Sequence, residues 1–256
     1  MRHGAIPWRY FQLNGNYFNK QKGIFSKLDL DANFPKHMRL KQYYYNADET
    51  PKSYPVFIKP EWGQNSNGIL CVYNDMEYRG VNTLAKKNNM PFIVQQAASG
   101  IKEYEIYYLR SSDNKDEYSF LSITQVINKG RESYPINSIH NPDTSYFERT
   151  SGFSADEMQV IWRTLKTIGN FRMARVGVKA NDITNLLSGE FHIVEINLFL
   201  PMPLVLLAEN VNIEEKHKIV KTTMSLASEL VKSIPKKETG KWIFFRKMIA
   251  HYKTTQ

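Results

Sequence analysis

Arg175, together with Glu195 and Asn197 one strand further on, has the residue types and spacing best suited to chemistry. In Phe191-His192-Ile193-Val194-Glu195-Ile196-Asn197 apolar and polar residues alternate, so a strand turns Glu195 and Asn197 to one face. Carboxylate and amide oxygens converging there suit a hard cation such as magnesium, carrying phosphate oxygens. An arginine on a neighbouring strand can stabilise charge on a transferring phosphoryl group. The competing reading is structural: a charge within an apolar strand needs a partner, and an Arg175–Glu195 salt bridge would supply one.

Three further segments carry the same kind of chemistry. Lys59 ends the apolar run Pro55-Val56-Phe57-Ile58 and precedes the small, polar loop Gly63–Gly68, which includes Ser66. A lysine there can neutralise a phosphate while loop N–H groups wrap it, or it can be an ordinary solvated strand end. The spacing is not that of a Walker A loop, because no Gly-Lys-Ser/Thr opens a helix. Phe92-Ile93-Val94-Gln95-Gln96-Ala97-Ala98 is an apolar strand leaving into small residues. Its backbone edges could meet a flat heterocycle such as adenine, and it could equally be a plain core strand. Glu103 and Glu105 share a strand face, where a carboxylate can accept from a ribose diol or simply be solvated.

Turn signals delimit the elements that must position these groups. Residues 1–50 form an aromatic and basic N-terminal segment leading into the fold, with a short helix expected near Asn19–Asp31. Residues 51–98 hold strands at 55–60, 69–73 and 91–96, with a helix capped by Asp75 and running to about Asn88. Residues 99–235 hold strands at 103–110, 118–128, 173–179 and 190–196. They also hold a helix opened by Ser154 with Glu157 three places on, and a last helix from about Ile213 to Lys232. Within this stretch, 129–153 reads as a long loop punctuated by Gly130, Pro135, Pro142 and Gly152. It is expected to lie as a lid over the acceptor side of the site, with Arg131, His140 and Arg149 as anion contacts. Strands and helices follow one another irregularly, which argues for an α+β class rather than a doubly wound sheet.

The order of these motifs resembles that of the ATP-grasp superfamily, in the manner of its carboxylate–amine ligases. The resemblance runs over roughly residues 20–210 and implies two α+β lobes clasping ATP; the N-terminal substrate-binding domain usual in the family is not obvious before them here. It implies that Lys59 and an earlier lysine, Lys27 with Lys20 as rival, contact the phosphates of ATP. Gly63, Ser66 and Gly68 would belong to the phosphate-covering loop. Gln95, Gln96 and Ala97 would hold adenine, Glu103 the ribose, Glu195 and Asn197 Mg2+, and Arg175 the acyl-phosphate step. A metal-binding aspartate is expected two residues after the arginine, where this chain has Gly177, and Asp182 is a candidate substitute. The function implied is an ATP- and magnesium-dependent ligase joining a small-molecule carboxylate to an amine. Its alternative is a non-catalytic ATP-binding module with an incomplete metal site.

Composition narrows the partners. A formal charge of +9 favours acidic ligands, but the basic residues are scattered rather than striped, which argues against nucleic acid. No apolar stretch approaches the ~20 residues of a membrane-spanning helix, and no secretory h-region follows Met1. The one cysteine, Cys71, lies in an apolar run and reads as a buried structural thiol in a reducing cytoplasm. The basic tail 236–256 reads as a terminal helix packing Trp242, Phe245 and Ile249 inward. Its functional alternative is a cationic patch for an anionic membrane surface or an acidic protein.

Overall fold

Alternation of side chains along β-strands, and the helices that cover them, set the architecture. The computed structural model describes residues 7–63, 66–81, 91–235, 243–246 and 248–249. Four strands, β1 (Gln42–Tyr44), β2 (Val56–Pro60), β3 (Leu70–Val72) and β4 (Phe92–Gln96), form a first sheet in the order β1-β4-β2-β3. Five more form a second: β5 (Lys102–Arg110), β6 (Tyr118–Asn128), β7 (Thr144–Glu148), β8 (Met173–Ala180) and β9 (His192–Asn197), in the order β7-β6-β5-β8-β9. Every pairing within the two sheets is antiparallel, as an α+β rather than a doubly wound fold requires.

Among the described residues five α-helices precede the tail, α1 (Lys27–Asp31), α2 (Asp75–Gly80), α3 (Ala155–Ile168), α4 (Asn185–Ser188) and α5 (Ile213–Ser233), and residues 243–246 and 248–249 are helical as well. Helix α3 opens on the reciprocal bonds of Ser154 and Glu157 and buries Met158, Ile161, Trp162, Leu165 and Ile168. Those side chains meet Tyr104, Ile106 and Tyr108 of β5, Ile123 of β6 and Val176 of β8. The opposite face of the second sheet is divided. At one end Tyr107, Leu109 and Met173 pack against Ala227, Leu230 and Val231 of α5. At the other end it is open. None of the described helices is long and apolar enough to cross a membrane.

The structure differs from the sequence expectations at several elements, for local reasons. Around Asn19 the chain turns instead of coiling: the side-chain oxygen of Asn19 takes the N–H groups of Gln21 and Lys22, and Gly23 sits at φ +73°. Only Lys27–Asp31 is helical there, capped by Ser26. Asn74, not Asp75, caps α2, and the expected continuation towards Asn88 falls on 82–90, outside the described residues. The long loop of 129–153 contains a strand, since Thr144–Glu148 completes the edge of the second sheet beside β6. Cys71 is half-buried rather than buried.

The N-terminal segment is tied to both sheets. Asn14 donates to the carbonyls of Met173 and Leu198 and accepts from the N–H of Arg172, while Phe18, Phe25, Phe34 and Met38 enter the core of the second sheet. Its strand β1 joins the first sheet. In the tail, Ile243 is buried in the main core and Phe244 stacks on Phe11 with centroids 4.6 Å apart. Phe245 and Ile249 are exposed, so the inward face is offset from the one expected; Trp242 and most of 236–256 lie outside the described residues.

Candidate functional site

Between the two sheets lies a cleft of about 750 Å³ whose floor is the open end of the second sheet. Antiparallel register builds that floor in successive rungs. Glu103 pairs with Lys179; Glu105, Gly177 and Glu195 lie side by side; Tyr107, Arg175 and Asn197 follow. The strand alternation that sends Tyr104, Ile106 and Val176 into the core under α3 sends these residues the other way. A bulge at Val194, opposite the Gly177–Val178 step, interrupts the β8–β9 ladder and leaves the Val194 carbonyl to be met from outside the sheet.

Lys59, at the end of β2, meets it. Its Nζ donates to Val194 O at 3.0 Å and to Gln95 Oε1 at 2.8 Å, and Gln95 Nε2 donates to the same carbonyl. The first sheet is thereby fastened to the second across the cleft. Lys59 is only 4% exposed, so it is no solvated strand end. Burial, reinforced by the nearby Lys27 and opposed by Glu195 and Asp31, pushes its pKa down to about 7. Lys27, on α1, donates to Pro60 O at 3.1 Å; burial lowers its pKa, against the pull of Glu195 and Glu61. Lys20 is exposed and outside the cleft lining.

The acidic side of the cleft is held between these lysines and Arg175. Burial raises the Glu195 carboxyl, but Lys27, Lys59 and Arg175 together hold it below its ordinary value, so it is an anion. Arg175 donates to Met202 O at 3.2 Å, and its Nε lies 3.1 Å from Glu105 Oε2. Its ion-pair partner is therefore Glu105, not Glu195. Burial pushes the Glu105 carboxyl up to about 7; Arg175 opposes this, while Glu103 and Glu195 add to it. Glu103 is paired with Lys179 at 3.4 Å and accepts from Asn137 Nδ2 at 3.0 Å.

Of the residues singled out from sequence, Lys27, Lys59, Gly63, Ser66, Gln95, Gln96, Glu103, Arg175, Glu195 and Asn197 all line this one cleft. Gly68 and Ala97 do not. Gly68 packs on the Pro60 ring behind the loop, and the Ala97 N–H is already spent on Pro55 O at 3.4 Å. The Gln96 N–H is likewise taken, by Lys41 O, and the Gln95 side chain is occupied by Lys59. The backbone beyond, at Ala98 and Ser99, lines the cleft instead. Asp182 is corrected as a metal candidate: it pairs with Lys102 at 3.0 Å, caps the turn at Thr184 and does not line the cleft.

The loop after β6 does cover the cleft, through different residues from those expected. Ser66 Oγ donates to Asn137 O at 2.8 Å, joining the glycine loop of one sheet to the covering loop of the other. Tyr134, Pro135 and Ile136 line the cavity, whereas Arg131 and His140 are exposed and Arg149, outside the lining, donates to Gln125. Sequence reasoning also passed over Lys179, which alternation with Arg175 and Gly177 could have found. The walls Phe57, Trp62 and Tyr146 come from three separated segments and carry no local signal.

The donors present fit magnesium. It is usually bound through one or two carboxylates together with substrate phosphates. Glu195 is anionic with Asn197 on the same face, and no group of three or more His, Cys, Asp or Glu side chains able to hold a metal is found among the described residues.

No protein-family model matches the sequence, and comparison with curated proteins gives no match. Among solved structures, the chain is similar to an L-amino acid ligase from Bacillus licheniformis, with a TM-score of 0.51 at 16% identity, covering 85% of this chain and 50% of that one. It is also similar to the VanG D-Ala:D-Ser ligase from Enterococcus faecalis, with a TM-score of 0.52 at 16% identity, covering 84% of this chain and 68% of that one. This chain therefore spans half the length of the first and about two thirds of the second. Two antiparallel sheets closing on a charged cleft, together with these likenesses, show that the chain has the ATP-grasp fold.

Proposed function

We propose that the chain is an ATP- and magnesium-dependent ligase that joins a carboxylate to an amine. The observation that carries this reading is the convergence of Lys27, Lys59 and Arg175 with anionic Glu195 and Asn197 in one cleft between the sheets. In this reading Lys59 and Lys27 bind the phosphates of ATP, and the loop containing Gly63 and Ser66 closes over them. The heterocycle lies towards Phe57 and the Ala98–Ser99 backbone, with Glu103 at the ribose. Glu195 and Asn197 hold the metal, which when bound neutralises phosphate charge and orients the γ-phosphoryl group.

A substrate carboxylate oxygen attacks the γ-phosphorus and ADP leaves. Arg175, fixed by Glu105 and Met202 O, stabilises the acyl phosphate so formed. An amine then attacks the acyl carbon, giving the amide, inorganic phosphate and a proton. The apolar group Val126, Tyr146 and Leu204 beside Arg175 supports a substrate with an uncharged side chain, and a small amino acid is consistent with the two ligases above.

The test is ADP release from ATP and magnesium with pooled amino acids and short peptides. The reading expects release that depends on both a carboxylate and an amine, with product mass equal to their sum less water. A second reading, a non-catalytic ATP-binding module, is favoured by one observation, Gly177 in place of a metal-binding carboxylate. It expects ATP binding with no ADP release from any pool.

A further inference from the structure

Glu105 is the one acidic side chain of the cleft floor for which the proposed reaction has no direct use. It sits on β5 in the same rung as Gly177 and Glu195. Gly177 has no side chain, and the Glu105 carboxylate has moved over it: a Cβ built on Gly177 would stand 2.8 Å from Glu105 Oε1. The carboxylate thus occupies the space above Gly177 of β8, the one strand that separates β5 from β9 and Glu195. Its Oε2 is fully buried and has no hydrogen-bond partner; the Arg175 Nε beside it is close enough to pair in charge but not aligned to donate. A buried carboxylate oxygen without a donor is costly unless something else completes it.

Ordinary ion pairing does not account for this placement. An Arg–carboxylate pair built for stability uses the bidentate fork, and here the guanidinium gives Nη1 to Met202 O and leaves Nε unbonded. The rung also sets two carboxylates, those of Glu105 and Glu195, on either side of a residue with no side chain, and like charges so placed repel. A divalent cation between them resolves both features, supplying the missing partner and cancelling the repulsion. Magnesium takes one or two carboxylates with substrate phosphates, and the rung presents two, with the Asn197 amide in the next rung.

We propose that Glu105, reaching across the side-chain-free Gly177, is a ligand of the metal that Glu195 and Asn197 bind with ATP. The proposal rests on the function above and extends it: Glu105 binds the metal, and Gly177 is the gap that admits it. It follows that a carboxylate on residue 177 and one on residue 105 are interchangeable in reach but cannot coexist, because their atoms compete for one space.

The test is a swap read by binding rather than turnover. Calorimetry on the full chain measures the affinity for a non-hydrolysable ATP analogue with saturating magnesium and with EDTA; the ratio of the two is the metal coupling. Glu105→Gln is expected to lower that ratio by about tenfold or more and to leave the EDTA affinity nearly unchanged. Gly177→Asp combined with Glu105→Ala is expected to restore it to within about threefold of the wild-type ratio. A wild-type ratio in folded Glu105→Gln, or a folded swap variant that stays uncoupled, overturns the proposal. If Glu105→Gln does not fold, the swap variant decides alone: restored coupling supports the metal role, and lost coupling overturns it. Coupling that disappears in Glu195→Gln but persists in Glu105→Gln overturns this inference and leaves the ligase reading standing. No nucleotide binding by the wild-type chain overturns both.

Discussion

The two faces of the second sheet come from the same strands and do opposite work. On one, Tyr104, Ile106, Tyr108 and Val176 meet the apolar stripe of α3 and are almost wholly buried. On the other, Glu103, Glu105, Arg175 and Lys179 are held at a cleft in ion pairs, and burial raises the Glu105 carboxyl to about 7. Alternation with a period of two separates them, so one residue's offset distinguishes a core position from a site position. The first face spends its side chains on stability. The second places charges in a partly dry space, where they cost stability and are available to a charged ligand.

That contrast breaks most visibly on the packed face. Trp162→Ala removes a buried ring and its Nε1 bond to Asp116 O, and is expected to lower unfolding stability by about 3–5 kcal/mol in chemical denaturation. On the cleft face, Lys59→Ala is expected to weaken ATP binding by about a hundredfold, the order of cost for deleting one partner of a desolvated charge contact. Because Lys59 is buried and bonded to Gln95 and Val194 O, the same change also lowers stability, by about 1–3 kcal/mol, as carbonyl groups lose their donor. A hundredfold loss of affinity with unaltered melting would indicate that the inter-sheet contact carries no stability.

The charged face also gives a pH signature that the packed face lacks. Glu105, with its folded pKa raised to about 7, binds more protons folded than unfolded. Its contribution therefore falls as pH rises from the ordinary carboxyl range to about 7. Lys59, lowered to about 7, binds fewer protons folded than unfolded, so its contribution grows from about pH 7 towards its ordinary value of 10.5. Ligand-free protein is expected to have its weakest contribution from this pair near neutral pH, read as melting temperature against pH. Glu105→Gln should flatten the acid limb alone; an unchanged acid limb would remove Glu105 as its source. The smallest effect is expected at Arg131→Ala and His140→Ala, exposed residues beyond the cleft, with stability changes within about 0.5 kcal/mol and unaltered nucleotide affinity.

Much of this contrast was legible in the sequence where it depended on local period. The capping box at Ser154 and Glu157, the stripe of α3, and the shared face of Glu195 and Asn197 all follow from spacing alone. What depended on long-range contacts was not legible. Arg175 has two carboxylates on neighbouring strands, and nothing local says that Glu105 rather than Glu195 pairs with it. The bulge that turns the Val194 carbonyl to Lys59 is set by register between strands, and the strand at Thr144–Glu148 forms only because β6 offers an edge. Lys59 ends an apolar strand and so reads as solvated, yet the second sheet closes over it.

The central claim is that this cleft holds ATP through its lysines and through a metal carried by Glu195 and Asn197. Calorimetric titration of ATP into the wild-type chain, with magnesium and with EDTA, tests it most directly. The account predicts saturable one-to-one binding that weakens by about tenfold or more when magnesium is removed, and that Glu195→Gln makes indifferent to the metal. Absence of binding under both conditions, or equal affinity with and without magnesium, would contradict it.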